Sequence, residues 1–140
     1  MNFQKSINYK IMTLEQYAEI TININTVALM VHNLAKEKGW YDKPETEDQF
    51  IARSTANFHA EVSELWEAHR NNCFRQECDK AHKMRELGIT PLTCAEEELA
   101  DLVIRAFDSA EHLGINIGSA IARKHAFNQS RPYRHGGKAA

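Results

Sequence analysis

The sequence predicts an all-α fold, a small antiparallel four-helix bundle, on three observations. Proline occurs only at Pro44, Pro91 and Pro132. Between them apolar residues recur at three- and four-residue spacing, and helix start and stop residues bracket the periodic runs. A chain of 140 residues with 43% hydrophobic positions has material for one domain with a core of its own, and two independent domains are not expected.

The first helix is expected from Thr13, an N-cap, to Lys38 before Gly39, with Ile20, Ile24, Val27, Val31 and Leu34 on one stripe. Within it Ile20-Thr21-Ile22-Asn23-Ile24-Asn25 alternates as a strand would, but the helical period continues on both sides, so helix is the reading kept. The second helix, from Thr46 to Arg70, packs through Ile51, Thr55, Phe58, Val62, Leu65 and Trp66. The polar stretch from Asn71 to Thr90 is an insertion with a short helix near Glu77 to Leu87, closed by Gly88. The third core helix, Thr93 to Leu113, buries Leu99, Leu102, Val103, Ala106, Phe107 and Ala110 before Gly114. The fourth, from Ile117 to Asn128, must stop before Pro132.

Seventeen Lys and Arg against nineteen Asp and Glu give no excess of positive charge, so binding to a nucleic acid polymer is not expected. The longest unbroken apolar run, Val27 to Val31, falls far short of the roughly 20 residues of a membrane span. No charged-then-apolar leader opens the chain, and the three cysteines, an odd number, point away from a disulfide framework. The expectation is a soluble cytoplasmic protein with no membrane contact.

Charge is unevenly distributed. Glu96, Glu97, Glu98, Asp101, Asp108 and Glu111 stand against the single base Arg105, and beyond Glu111 no acid occurs while Arg123, Lys124, Arg131, Arg134 and Lys138 follow. Glu61 and Glu64 lie three apart on the second helix, and Glu98 and Asp101 repeat the spacing on the third, so each pair shares a helical face beside its core stripe. Adjacent helices can aim these four carboxylates into one cleft. They would repel unless a divalent cation joined them, and all-oxygen donors favour Mg²⁺ or Mn²⁺ over zinc or copper. A di-iron bundle is rejected, because neither pair has the histidine of Glu-x-x-His. On the fourth helix Lys124, Asn128 and Arg131 form one stripe suited to a phosphate-bearing ligand, although cations at a helix end also offset the macrodipole. The segment His135-Gly136-Gly137-Lys138 offers backbone N–H groups and a cation that can fold over phosphates; its other reading is a frayed tail.

Three blocks in order, His59-Ala60-Glu61-Val62-Ser63-Glu64-Leu65-Trp66-Glu67-Ala68-His69-Arg70, Glu98-Leu99-Ala100-Asp101-Leu102-Val103-Ile104-Arg105, and Lys124 through Lys138, resemble the MazG-like nucleotide pyrophosphohydrolases of the all-α NTP pyrophosphatase superfamily. Gly39-Trp40-Tyr41-Asp42 is a weaker echo. The resemblance implies a MazG-like four-helix bundle that hydrolyses a (deoxy)nucleoside triphosphate to nucleoside monophosphate and pyrophosphate, as in nucleotide-pool sanitation. It implies Mg²⁺, with Mn²⁺ as substitute, on Glu61, Glu64, Glu98 and Asp101, and nucleotide contacts from Lys124, Asn128, Arg131, Arg134 and Lys138. Ala60 stands where many members carry a further glutamate, and 33 residues separate Glu64 from Glu98, more than the usual number. Ala60 also supports a rival reading, a noncatalytic helical module that binds a nucleotide or protein with a degenerate metal site.

Other residues carry narrower expectations. Trp40 either packs or stacks on a nucleobase. His59 is read as a structural histidine or as a hydrogen-bond partner of a carboxylate or the nucleotide, and Arg105 and Asp108 as partners that hold the carboxylates in place. His69, Cys73, Cys78 and His82 form H-x3-C-x4-C-x3-H, which admits a structural zinc but lacks a C-x2-C knuckle, so free thiols are the default. Finally, Ala18, Ile22 and Leu29 fall opposite the core stripe of the first helix, and a helix apolar on two faces predicts a homo-oligomer, most simply a twofold dimer.

Overall fold

The computed structural model describes residues 11–134, which form five helices. They are α1 (Leu14–Glu37), α2 (Glu47–Arg70), α3 (Ala81–Glu86), α4 (Cys94–His112) and α5 (Ile117–Gln129). The all-helical fold agrees with the sequence expectation, and the four long helices form a helical bundle. The inserted helix is shorter than expected. None of the described helices is long and apolar enough to cross a membrane.

Each long helix starts where its side chains satisfy the free N–H groups of the first turn. Thr13, Thr46 and Thr93 each accept from the backbone N–H three residues on, while Gln16, Gln49 and Glu96 reach back to the cap N–H. These are three capping boxes, and the threonine-x-x-glutamine or -glutamate spacing is legible in the sequence. At the end of α1, Gly39 adopts φ +82° and Trp40 N–H returns to Ala35 O at 3.1 Å. A Cβ on Gly39 would stand 2.9 Å from Asp42 Oδ2, the end of a side chain that can turn aside, so the positive φ is what calls for glycine.

The long helices lie in the order α2, α4, α1, α5: α2 packs along α4, α1 along both α4 and α5, and α4 touches α5 lightly. α1 and α2 do not pack directly on each other. The strand-like alternation of α1 has a structural use here. Asn25 Nδ2 donates to Asn116 Oδ1 at 2.9 Å, and Asn25 Oδ1 accepts the Gly118 N–H at 2.8 Å. Tyr17 and Ser119 hydroxyls meet at 2.6 Å beside buried Ala122 and Ala126.

The core differs from the one expected. Val27, Leu34, Ile51, Val62, Trp66, Leu99 and Val103 are between 43% and 58% exposed, and Thr55 is exposed too. Ile20, Ile24, Val31, Phe58, Leu65, Leu102, Ala106 and Phe107 are half-buried, whereas Ala110 is buried. What the chain buries is mostly small: Ala28, Ala68, Ala95, Ala110, Ala122, Ala126, Ser54, Ser109 and Ser119, with Phe50 the one large side chain fully enclosed among the described residues. Small residues let helix backbones approach, so they occupy the contact lines while the larger apolar residues flank them. A periodicity argument assigns the largest hydrophobes to the interior and misses this division.

Candidate functional site

Because α2 and α4 lie side by side, their acidic faces meet. Glu61 on α2 is 3% exposed, and one carboxylate oxygen from each of Glu61, Glu64 and Glu98 lies within 4.8 Å of the others. Arg105, one turn beyond Asp101 on α4, donates its Nε–H to Glu61 Oε1. It therefore anchors the most buried acid of the group. Asp101 is half-buried and electrostatically coupled to Glu61, but it stands outside the three-residue group.

The acids disfavour one another's charge. Burial first, then Glu64 and the other neighbouring carboxylates, pushes Glu98 up to about 7. Burial and then Glu61 raise Asp101 from the usual aspartate range. A hard divalent cation relieves this repulsion, and oxygen donors on two helices fit Mg²⁺ or Mn²⁺. The sign of the pH effect follows. Without a cation, folded Glu98 keeps a proton between about 4.5 and 7 that the unfolded chain releases, so stability from this group is present at low pH and is lost as pH rises through 7. Added Mg²⁺ is expected to raise the melting temperature more at about pH 8 than at about pH 6. Glu98→Gln is expected to gain about 3 °C at the higher pH without metal and to lose the Mg²⁺ response. Melting curves check this, and an equal Mg²⁺ response at both pH values contradicts it.

Beside the acids lies a cavity of about 220 Å³, lined by Trp40, Tyr41, Phe50, Phe58, Val31 and Ile104, with polar edges from Arg53, Ser54, Asn57, Asp101, Arg105 and Asp108. Asp101 and Arg105 line the cavity, and Arg105 also bonds Glu61 of the acidic group. Ion pairing and ring packing fix the cavity's far wall. His32 Nδ1 meets Asp108 Oδ1 at 2.7 Å, Tyr41 and His112 rings stack at 4.8 Å, and Arg53 donates Nε–H and Nη2–H to the two carboxylate oxygens of Glu45. Burial, then Asp108, pushes the Tyr41 phenol up, so it stays protonated.

Each expected site residue has a place. Trp40 lines the cavity and is largely exposed. Asp108 pairs with His32 at the cavity wall instead of holding the carboxylate group in place, because α4 carries it two turns past Asp101. His59 is exposed on α2. Lys124 and Arg131 both lie over the Phe127 ring, at 5.0 and 5.8 Å, and Lys124 and Asn128 line a shallow groove on α5. α5 does not pack on α2, so the structure does not bring this stripe and the acidic group together within one chain. Arg134 lies over Tyr133. Lys138 and the His135-to-Lys138 segment fall outside the described residues.

Sequence reasoning missed His32, Tyr41, Arg53, Ser54 and Asn57. The only available signal was positional: Ser54 and Asn57 precede Glu61 by two turns and one turn of the same helix, and Tyr41 follows Trp40 just after the end of α1. No family model, curated protein or solved structure matches the chain.

Proposed function

We propose that the protein is a Mg²⁺-dependent nucleoside triphosphate pyrophosphohydrolase of the MazG-like type, cleaving its substrate to nucleoside monophosphate and pyrophosphate. The observation that carries this reading is the junction of two unlike features: a three-carboxylate group opens through Asp101 and Arg105 onto an aromatic cavity. Acids alone are a common surface feature, and an aromatic cavity alone suits many small molecules. Together they match a ligand with a flat ring at one end and polyphosphate at the other.

Glu61, Glu64 and Glu98 are the donors for Mg²⁺ or Mn²⁺. When bound, the ion neutralises phosphate charge and acidifies water for attack. Arg105 holds Glu61 in its ligating orientation. Asp101, at the lip of the cavity and outside the three-oxygen group, accepts the proton of the attacking water. Trp40 and Tyr41 receive the base by ring contact, and Asn57 offers both a donor and an acceptor to its edge. Phosphorus NMR of the reaction products tests the reading. Nucleoside monophosphate with pyrophosphate is the expected pair, and nucleoside diphosphate with inorganic phosphate overturns it.

Lys124, Asn128, Arg131 and Arg134 supply phosphate contacts in this account from a second copy of the chain, because α5 does not pack on α2 within one chain; Lys138, outside the described residues, is assigned the same role on the family resemblance alone. Substituting Lys124 or Arg131 by alanine is expected to weaken different nucleotides about equally, since phosphate contacts carry no base information. A loss confined to one base, measured as Michaelis constants across nucleotides, contradicts that role.

A second copy of the chain completes the proposal. Ile22, Leu29 and Met30 on α1 are 50% to 66% exposed, and Val62, Trp66, Leu99 and Val103 on α2 and α4 are similarly uncovered. Among the described residues the open helix order leaves these faces without a partner, and a twofold copy is the economical cover. Light scattering is expected to report a dimer or larger species that Ile22→Glu dissociates; an active 16 kDa species at micromolar concentration contradicts it.

A further inference from the structure

The three cysteines of the chain come from two places in the sequence, and the backbone brings these together where the inserted segment joins α4, one turn before Glu98 and Asp101. α2 ends in a reversal with Asn72 in the left-handed region (φ 58°) and Cys73 N–H bonded to Ala68 O at 3.0 Å. This folds Cys73 back onto the helix end, where its thiol donates to the same carbonyl at 3.4 Å. The next residues pair antiparallel with the approach to α4. Cys78 N–H donates to Leu92 O and Cys94 N–H to Gln76 O, both at 2.9 Å, about a bridge between Glu77 and Thr93.

In such a pair alternate residues share a face, which puts Cys78 and Cys94 on the same side as diagonal neighbours. Ala95 N–H, bonded to Phe74 O at 3.1 Å, draws the residue after Cys73 onto the start of α4. The Cys94 thiol donates to Glu77 O at 3.8 Å, and burial, then Cys73 and Cys78, raises it above the usual thiol range. Cys78 is 5% exposed, and its sulfur shares a 4.8 Å group with carboxylate oxygens of Asp79 and Glu97. Glu97 is itself buried and receives the Lys80 ammonium.

We propose that Cys73, Cys78 and Cys94 form a site for a thiophilic divalent cation, zinc by preference, with Glu97 as the nearest fourth donor. Cys73 and Cys78 have C-x4-C spacing, within the range of structural zinc pairs, and Cys94 arrives from across the bridge as a third sulfur. A disulfide uses two of three clustered thiols and strands the third, whereas a tetrahedral ion uses all three and a carboxylate. The set differs from the one the spacing suggested: the His82 side chain is 88% exposed and pairs with Glu86 at 3.1 Å, and Cys94, remote in sequence, takes its place. Binding releases the thiol protons to solvent, and Lys80 offsets part of the negative charge that remains. The ion ties the end of α2 to the first turn of α4, one turn before Asp101.

Elemental analysis of the full-length protein, purified without chelator and dialysed against metal-free buffer, tests the site. One zinc per chain is expected, retained in Glu64→Gln and lost in Cys78→Ser. Because replacing a buried thiol threatens folding by itself, Co²⁺ is also titrated into the chelator-stripped wild-type protein. A thiolate-to-cobalt charge-transfer band in the near ultraviolet, saturating at one equivalent, is the expected result; carboxylate binding gives none. A wild-type protein without stoichiometric zinc and without that band overturns the proposal, as does a native Cys73–Cys94 disulfide.

Discussion

Glu64→Gln is expected to cut Mg²⁺-dependent hydrolysis by about 100-fold or more while leaving the protein at least as stable as the wild type. The side chain is exposed on α2, so no packing is lost, and its oxygen belongs to the group shared with Glu61 and Glu98. Removing its charge also lifts part of the repulsion that raises Glu98. A variant that loses activity and keeps or gains melting temperature separates a ligand from a structural residue. Steady-state kinetics and thermal melts on one preparation check both halves, and near-normal turnover contradicts the assignment.

The largest stability effect is expected at Gly118. A Cβ there would stand 2.4 Å from Thr21 O and 2.9 Å from Thr21 Cα, both backbone atoms of α1 that no rotamer change can move aside. The same residue donates its N–H to Asn25. Gly118→Ala must therefore push α5 off α1, separating the Tyr17–Ser119 contact and opening the buried Ala122 position. The expected cost is about 3 kcal/mol, in the upper range for overpacking. Denaturant unfolding measures it, and a change below about 1 kcal/mol means the helices are less closely apposed than described.

Helix positions were legible because their determinants are local. Thr13, Thr46 and Thr93 with their glutamine or glutamate partners mark the starts, and Gly39 and Gly114 mark two of the ends. The meeting of Glu61 and Glu64 with Glu98 was legible from spacing, since pairs three apart on packed helices have few places to go. Burial was less so. Val62 and Trp66 fit the periodic stripe of α2 but flank a contact line of Ser54, Glu61 and Ala68, and nothing in a single sequence distinguishes a stripe facing its own chain from one facing outward. The cavity wall depends on contacts between residues far apart, His32 with Asp108 and Tyr41 with His112, that no local pattern encodes. The cysteine cluster was half legible. Cys73 and Cys78 are near in sequence, but Cys94 joins them only through the backbone pairing of 76–78 with 92–94.

Pyrophosphate release from a panel of canonical and modified nucleoside triphosphates, measured with and without Mg²⁺, tests the central claim most directly. The account predicts release from at least one nucleotide, strict dependence on Mg²⁺ or Mn²⁺, and loss of that release in Glu61→Gln and Glu98→Gln. Nucleotide binding without turnover across the panel, unchanged by Mg²⁺, would contradict it and favour the noncatalytic module that Ala60 suggests.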